Sequence, residues 1–183
     1  MTSEDFPVNR KLASDIYNIK PQPLSDLIDV DQLVTVHELR KRRLMPKVGF
    51  NLVPGSVANA LAGDRINEKV IIFTNIHKLS DEEVYVLIAH ETAHFWQLPA
   101  LCQSHEGKGY VYHHDKRCEQ DAIYWEGLQA ARMGWNRETH RAFIKKLGFR
   151  TRRIREQESW PAFPSLPPRR RVVQVRTHHR RRA

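Results

Sequence analysis

The pattern of apolar and polar positions predicts short strands in the first half of the chain. Three apolar runs bounded by turn residues favour strands, at residues 48–53, 57–62 and 69–74. The run Lys69–Thr74 is the clearest, because it is short and rich in β-branched side chains. We expect this strand to lie at an edge of the sheet, where an extended peptide can pair with it.

Helical signals lie on both sides of these strands. A short helix is expected near Ala13–Ile19, and a longer one from Ser25 or Asp26 to about Arg43, stopped by Pro46. Three further helices are predicted after the strands, at about residues 81–97, 117–133 and 137–147. Helix, small sheet and further helices together indicate an α+β domain.

The helix predicted at 81–97 has a clear beginning and an apolar middle. Ser80 and Glu83 have the spacing of a capping box, in which each side chain bonds the other residue's backbone N–H. Residues 84–89 contain no charged side chain. The helix is therefore expected to be buried on most sides.

The same helix contains the sequence His90-Glu91-Thr92-Ala93-His94, an H-E-x-x-H motif. Residues four apart lie on one face of a helix, so both imidazoles can reach one metal ion. Glu91 lies beside them, where it can act as general base on the attacking water. Histidines and a carboxylate in a buried helix need partners, and a metal site supplies them.

A catalytic zinc site usually has three protein ligands, so a third one is expected. Glu119 is the first choice, since its neighbour Ala122 would let the second helix approach closely. His113 and His114, in the preceding loop, compete with it: one of them can be a ligand or can stabilise the oxyanion. Glu126 lies near the same inward face and is expected to pair with an arginine. Tyrosines are further candidate oxyanion donors, at positions 110, 112 and 124.

Several segments together resemble the core of the HtpX-like and CAAX-prenyl-protease gluzincins. They are residues 57–62, 70–75, 79–83, the H-E-x-x-H motif and Glu119-Gln120-Asp121-Ala122, which is similar to the family's E-x-E/D-A-D. The resemblance covers roughly residues 55–135. It implies a small zincin-like domain, with a short antiparallel or mixed sheet packed on the H-E-x-x-H helix and a second helix that carries a ligand. It also implies zinc-dependent peptide hydrolysis, with His90, His94 and Glu119 as ligands and Glu91 as base.

Two further groups of zinc proteases are similar over shorter stretches. ImmA/IrrE-like proteins have a comparably short spacer, and His94-Phe95-Trp96-Gln97 is reminiscent of SprT-like proteases, in which a later histidine completes the site. The chain departs from the gluzincin pattern at Ile123, where the family has an aspartate that holds a ligand histidine. Asp121 or Asp115 is expected to substitute for it.

The chain divides by charge into two regions. Of its 30 lysines and arginines, eleven arginines lie in residues 150–183, here called the arginine tail, which has only two acidic residues. This tail therefore carries the whole formal excess of +9, and it also contains four prolines. We expect a zincin-like metallopeptidase domain at 1–149 and a largely disordered basic tail at 150–183. Arginine binds phosphate, so the tail predicts association with nucleic acid.

The composition of the chain narrows the classes of protein to which it can belong. The sequence contains no run of 18 apolar residues, so no membrane span is predicted. The acidic N-terminus lacks a hydrophobic signal region. A cytoplasmic protein without membrane contact is therefore expected. Two cysteines without a C-x-x-C pair do not indicate a disulfide scaffold. The sequence therefore predicts a Zn²⁺-dependent endopeptidase that acts on a protein substrate and is associated with nucleic acid. The alternative is a weakly active or inactive zincin-fold binding protein of a nucleic-acid-containing assembly.

Overall fold

A computed structural model describes residues 3–15, 20–56, 58–65, 68–97 and 116–147. The arginine tail, His113 and His114 lie outside these residues, so the predictions made for them stay predictions. Among the described helices, none is both long and apolar enough to cross a bilayer.

The described elements form an α+β domain, as the sequence predicted. The helices are α1 (Arg10–Asp15), α2 (Leu24–Leu27), α3 (Val36–Arg42), α4 (Asp81–Ala93), α5 (Lys116–Arg132) and α6 (Arg137–Lys146). The strands are β1 (Gln22–Pro23), β2 (Lys47–Asn51), β3 (Asn59–Arg65) and β4 (Glu68–Thr74). Short 3₁₀ turns lie at Ser3–Asp5, Val30–Gln32, Ile76–Lys78 and His94–Trp96.

The strands form one mixed sheet in the order β1-β2-β4-β3. Strand β4 pairs in parallel with β2 and antiparallel with β3, with Ile72 opposite Leu61. The expectation that Lys69–Thr74 is an edge strand is therefore wrong, because β4 lies between two partners. The side chains of Val70, Ile71 and Phe73 are buried, as expected for an apolar strand in the interior of a sheet. The edge near α4 is β3.

Helix α4 runs through the core. All ten residues from Val84 to Ala93 are buried, which confirms the expectation from the apolar run. The capping box also forms: Ser80 N–H donates to Glu83 Oε2 at 2.7 Å, and Glu83 N–H donates to Ser80 Oγ at 3.2 Å. The cap fixes where α4 begins and thereby sets which of its residues face each neighbour.

Helix α5 packs along α4 through small and aromatic side chains. Ala122 and Ala130 are fully buried, and the rings of Trp96 and Trp125 meet edge to face at 5.5 Å. Gly134, with a φ of +82°, ends α5 in the left-handed conformation that glycine adopts readily. Asn136 then caps α6 by accepting from Thr139 N–H at 2.8 Å. This tight corner returns α6 against α5.

The single helix expected from Ser25 or Asp26 to Arg43 is wrong, because the segment is broken after Leu27. Ile28 is extended and bridges to Val8, and Asp29 caps a 3₁₀ turn by accepting from Asp31 N–H. Asp29 N–H also donates to the Tyr85 hydroxyl at 3.0 Å. Contacts with distant residues thus outweigh the local helical preference.

Replacing Ser80 with alanine should lower the free energy of unfolding by about 1 kcal/mol, because the Glu83 N–H loses its acceptor. Urea denaturation of the purified protein measures the change. Ser14→Ala is the control, since this exposed hydroxyl bonds only within α1, and its effect should stay below about 0.5 kcal/mol. Equal effects of the two changes would show that the cap does not anchor α4.

Candidate metal centre

His90 lies in the last turn of α4, and His94 begins the 3₁₀ turn that continues it; their Nε2 atoms point toward each other. The two nitrogens are 3.3 Å apart, and the rings are nearly perpendicular at 79°. Both residues are buried. The helical spacing of the motif thus places two nitrogen donors side by side, as the sequence predicted.

Glu119 approaches the same point from α5. Its Oε2 lies 3.6 Å from His90 Nε2, and its Oε1 lies 3.7 Å from His94 Nε2. The Glu119 side chain is 35 % exposed, whereas each histidine side chain is 4 % exposed. The cluster therefore has buried nitrogens on one side and opens toward solvent at the carboxylate.

The spacing of these three groups suits a metal ion. One ligand atom from each residue lies within 4.8 Å of the others, a group that can hold a metal. A tetrahedral ion with bonds of about 2.0–2.2 Å separates its ligand atoms by about 3.3–3.6 Å, close to the distances given above. The donor set of two imidazoles and one carboxylate is that of many catalytic zinc sites.

Each imidazole is held through its other nitrogen. His94 Nδ1 lies 2.7 Å from Oε1 of Gln97, the residue that follows the 3₁₀ turn after α4. His90 Nδ1 lies 2.7 Å from Oε2 of Glu126 on α5. Because a carboxylate and an amide oxygen only accept, these contacts place protons on the two Nδ1 atoms. In the neutral rings both Nε2 lone pairs then face Glu119, which makes the cluster electron-rich and suited to a cation.

Glu126 was expected to pair with an arginine, and that expectation is wrong. Its carboxylate is 1 % exposed and lies between His90 and His140, whose Nε2 is 2.5 Å from Oε1. Of the two aspartates expected to replace the family's aspartate, Asp121 is exposed on the outer face of α5, and Asp115 lies outside the described residues. Glu126 follows Glu119 by seven residues, and this spacing places both side chains on one face of the helix. The sequence therefore indicates that Glu126 lies on the inward face.

The two buried carboxyl groups near His90 have opposite pKa shifts. Burial favours the neutral form of Glu126, but hydrogen bonds from His140 and His90 outweigh it and lower the pKa of Glu126 to about 2. Burial, and to a lesser degree the Glu119 carboxylate, raise the pKa of Glu91 to about 7 against the opposing effect of His90. One carboxyl is thus held as an anion while the other titrates near neutrality.

The pKa of His90 reflects the same surroundings. Burial alone lowers it, but the contact with Glu126 and the nearby carboxylates of Glu91 and Glu119 raise it to about 9. A metal ion that binds at Nε2 must therefore compete with a proton.

Glu91 is fixed by the sheet edge. Its Oε2 accepts the Ala62 N–H of β3 at 2.8 Å, so the carboxyl lies between the edge strand and the histidine cluster. This contact was not foreseen from the sequence, because it joins two elements whose relative position is set by packing. It holds the side chain beside the candidate metal position.

The remaining site residues predicted from the sequence are the candidate oxyanion donors. His113, His114, Tyr110 and Tyr112 lie outside the described residues. Tyr124 is 38 % exposed and packs edge to face on Trp125 at 6.0 Å. Its position on the outer side of α5 gives no support for a role as oxyanion donor.

Comparison with known proteins identifies no relative: no family model, curated protein or solved structure matches the chain. The case for a metal site therefore depends on the geometry of the described residues.

Glu119→Ala should reduce the metal bound per chain after dialysis against Zn²⁺, because two imidazoles alone leave the ion without its carboxylate ligand. Elemental analysis of the dialysed protein measures the content. Asp121→Ala is the matched control, since it removes a carboxylate from the exposed face of the same helix. If both variants keep one metal per chain, Glu119 is not a ligand.

Proposed function

We propose that this protein is a zinc-dependent endopeptidase that hydrolyses peptide bonds in a protein substrate. The observation that carries the proposal is the convergence of His90, His94 and Glu119, with the buried Glu91 beside them. Two nitrogens and one carboxylate oxygen from two packed helices form an incomplete coordination sphere, which leaves a position for a water or a substrate atom.

The choice of zinc follows from the donor atoms. Imidazole nitrogens suit zinc better than they suit Mg²⁺ or Ca²⁺, which prefer oxygen ligands. The ligand-atom separations given above fit a tetrahedral ion, the geometry typical of zinc. Bound there, zinc would polarise the scissile carbonyl and increase the acidity of the attacking water.

Glu91 is proposed as the general base. It would accept the proton of the attacking water and pass it to the leaving amine. Two features support this role: the raised pKa of its carboxyl, and the Ala62 N–H that holds Oε2 and leaves Oε1 for the water. A base with a pKa near the working pH is both deprotonated often enough and basic enough to move a proton.

Strand β3 is the proposed docking edge for the substrate. It lies at the end of the described sheet, and its Ala62 N–H points away from β4, toward Glu91. A peptide that extends the sheet beside β3 would bring its backbone past Glu91 and the metal ligands. Leu61, 55 % exposed on this strand, offers an apolar contact to such a peptide.

The arginine tail is proposed to recruit the protein to nucleic acid. Eleven arginines interleaved with prolines supply charge for phosphates, with no evident scaffold for reading bases. The substrates would then be proteins that are themselves bound to DNA or RNA.

Glu91→Gln should retain zinc but lose hydrolysis by about 10²–10⁴-fold, because an amide cannot take up the proton of water. The Gln oxygen can still accept the Ala62 N–H, so the fold should be kept. Cleavage of a broad peptide library, followed by mass spectrometry, measures the activity, and zinc content is measured in parallel.

Glu138→Gln serves as the control for the Glu91 experiment, since Glu138 is exposed on α6. A Glu91→Gln protein as active as the wild type would exclude Glu91 as the base. A wild-type protein that binds zinc and cleaves no peptide would favour the alternative of a non-catalytic binding protein.

Replacing Arg180, Arg181 and Arg182 with glutamine should weaken binding to DNA or RNA and reduce its dependence on salt. Each lost phosphate contact lowers the slope of log affinity against log salt by about 0.7–0.9. Fluorescence anisotropy over a salt series measures both quantities.

The matched control for the tail experiment removes three exposed lysines from the domain instead, at positions 11, 41 and 145. If the lysine variant loses as much affinity and slope as the arginine variant, the charge of the tail is not what binds nucleic acid.

A further inference from the structure

We infer that Glu126 is a positioning residue for the metal ligand His90, and that His140 holds Glu126 in place. The inference rests on the proposed metal-dependent function and concerns how one of its ligands is oriented. It assigns to α6 a part in the metal site, although α6 supplies no ligand.

Both oxygens of the Glu126 carboxylate are engaged by imidazole nitrogens. Oε2 lies 2.7 Å from His90 Nδ1, and Oε1 lies 2.5 Å from His140 Nε2. Glu126 and His140 are 1 % and 0 % exposed. A carboxylate in such a position is stabilised only if donors replace the water it has lost, so both nitrogens must present a proton to it.

The proton on His90 Nδ1 determines what the opposite side of the ring can do. With the proton on Nδ1, 2.7 Å from Glu126 Oε2, the Nε2 atom keeps a lone pair, and it lies 3.3 Å from His94 Nε2 and 3.6 Å from Glu119 Oε2. Hydrogen bonding at one imidazole nitrogen fixes both the tautomer and the ring orientation for a metal at the other.

His140 holds the Glu126 carboxylate from a third helix, α6. It is the one histidine of α6, and its ring is also 3.8 Å from the position that a Cβ on Gly127 of α5 would occupy. The ring therefore packs directly on α5 beside Glu126. Without the Nε2 donor, one carboxylate oxygen would be buried without that hydrogen bond, and Glu126 would be free to turn away from His90.

A second buried polar residue of α5, Gln129, makes different contacts and therefore serves as a control. Gln129 is fully buried and bonds Val34 N–H at 2.8 Å and the Gln32 carbonyl at 3.2 Å. It ties α5 to the segment before α3, and among the described residues its hydrogen bonds do not reach a ligand histidine. Its loss should affect stability and leave the metal ligands in position.

The test measures zinc affinity by competition with a chromophoric chelator, in the full-length protein and without any peptide substrate. Glu126→Gln should weaken zinc binding by about 10–100-fold, the range found when such supporting groups are removed. His140→Ala should also weaken it, whereas His140→Gln, whose amide can replace the Nε2 donor, should restore affinity. Gln129→Ala should leave zinc affinity unchanged while it lowers the stability of the metal-free protein.

A second measurement needs no variant and therefore does not depend on whether Glu126→Gln folds. In the zinc-loaded wild-type protein, ¹⁵N NMR should show His90 bound through Nε2 and protonated at Nδ1, with the Nδ1 proton shifted downfield by its carboxylate partner. His90 bound through Nδ1 would overturn the inference, as would wild-type zinc affinity in a folded Glu126→Gln protein.

These readouts separate the inference from the proposed function. If the protein binds zinc and cleaves nothing, the peptidase proposal fails, while the affinities of the variants still decide the role of Glu126. If Glu126→Gln and Gln129→Ala weaken zinc binding equally, Glu126 acts only through stability. A chain that binds no zinc overturns the inference and the proposed chemistry together.

Discussion

The burial of polar side chains on helix α4 is the constraint around which this domain is arranged. His90 and Glu91 in α4, and His94 directly after it, are buried, and each needs a partner in place of water. Those partners come from different elements: Glu126 from α5 for His90, and the Ala62 N–H from β3 for Glu91. The positions of β3 and α5 beside α4 are thus coupled to the chemistry of the motif as well as to apolar packing.

The same arrangement gives the carboxyl groups of the site different pKa values. Glu126 lies against the imidazoles of His90 and His140 and stays ionised, with a pKa lowered to about 2. Among the described residues, Glu91 has a backbone N–H and the nearby His90 to offset its burial, and its pKa rises to about 7. Because their surroundings differ, one glutamate carboxyl is held as an anion while the other can act as a base. Glu119, more exposed than either, is left to complete the candidate ligand set.

Much of the fold follows from local features of the sequence. The capping box at Ser80 fixes the start of α4, and the i,i+4 spacing of His90 and His94 brings their nitrogens together on one turn. The strands 47–51 and 68–74 and the beginning of α6 at Asn136 likewise depend on residues close in the chain. Such features are readable from the sequence because the interactions that form them span only a few positions.

Tertiary packing decided the rest. The helix expected before Arg43 is broken at Asp29, whose N–H donates to the distant Tyr85, and β4 is central because β2 and β3 both pair with it. The sequence placed Glu126 on the inward face of α5, but the arginine partner predicted from it is wrong. That choice depended on the packing of α6, which brings His140 to one carboxylate oxygen while α4 brings His90 to the other. A buried charge is satisfied by whichever donors the fold places within about 3 Å, and residues distant in sequence are brought to that distance only by the complete fold.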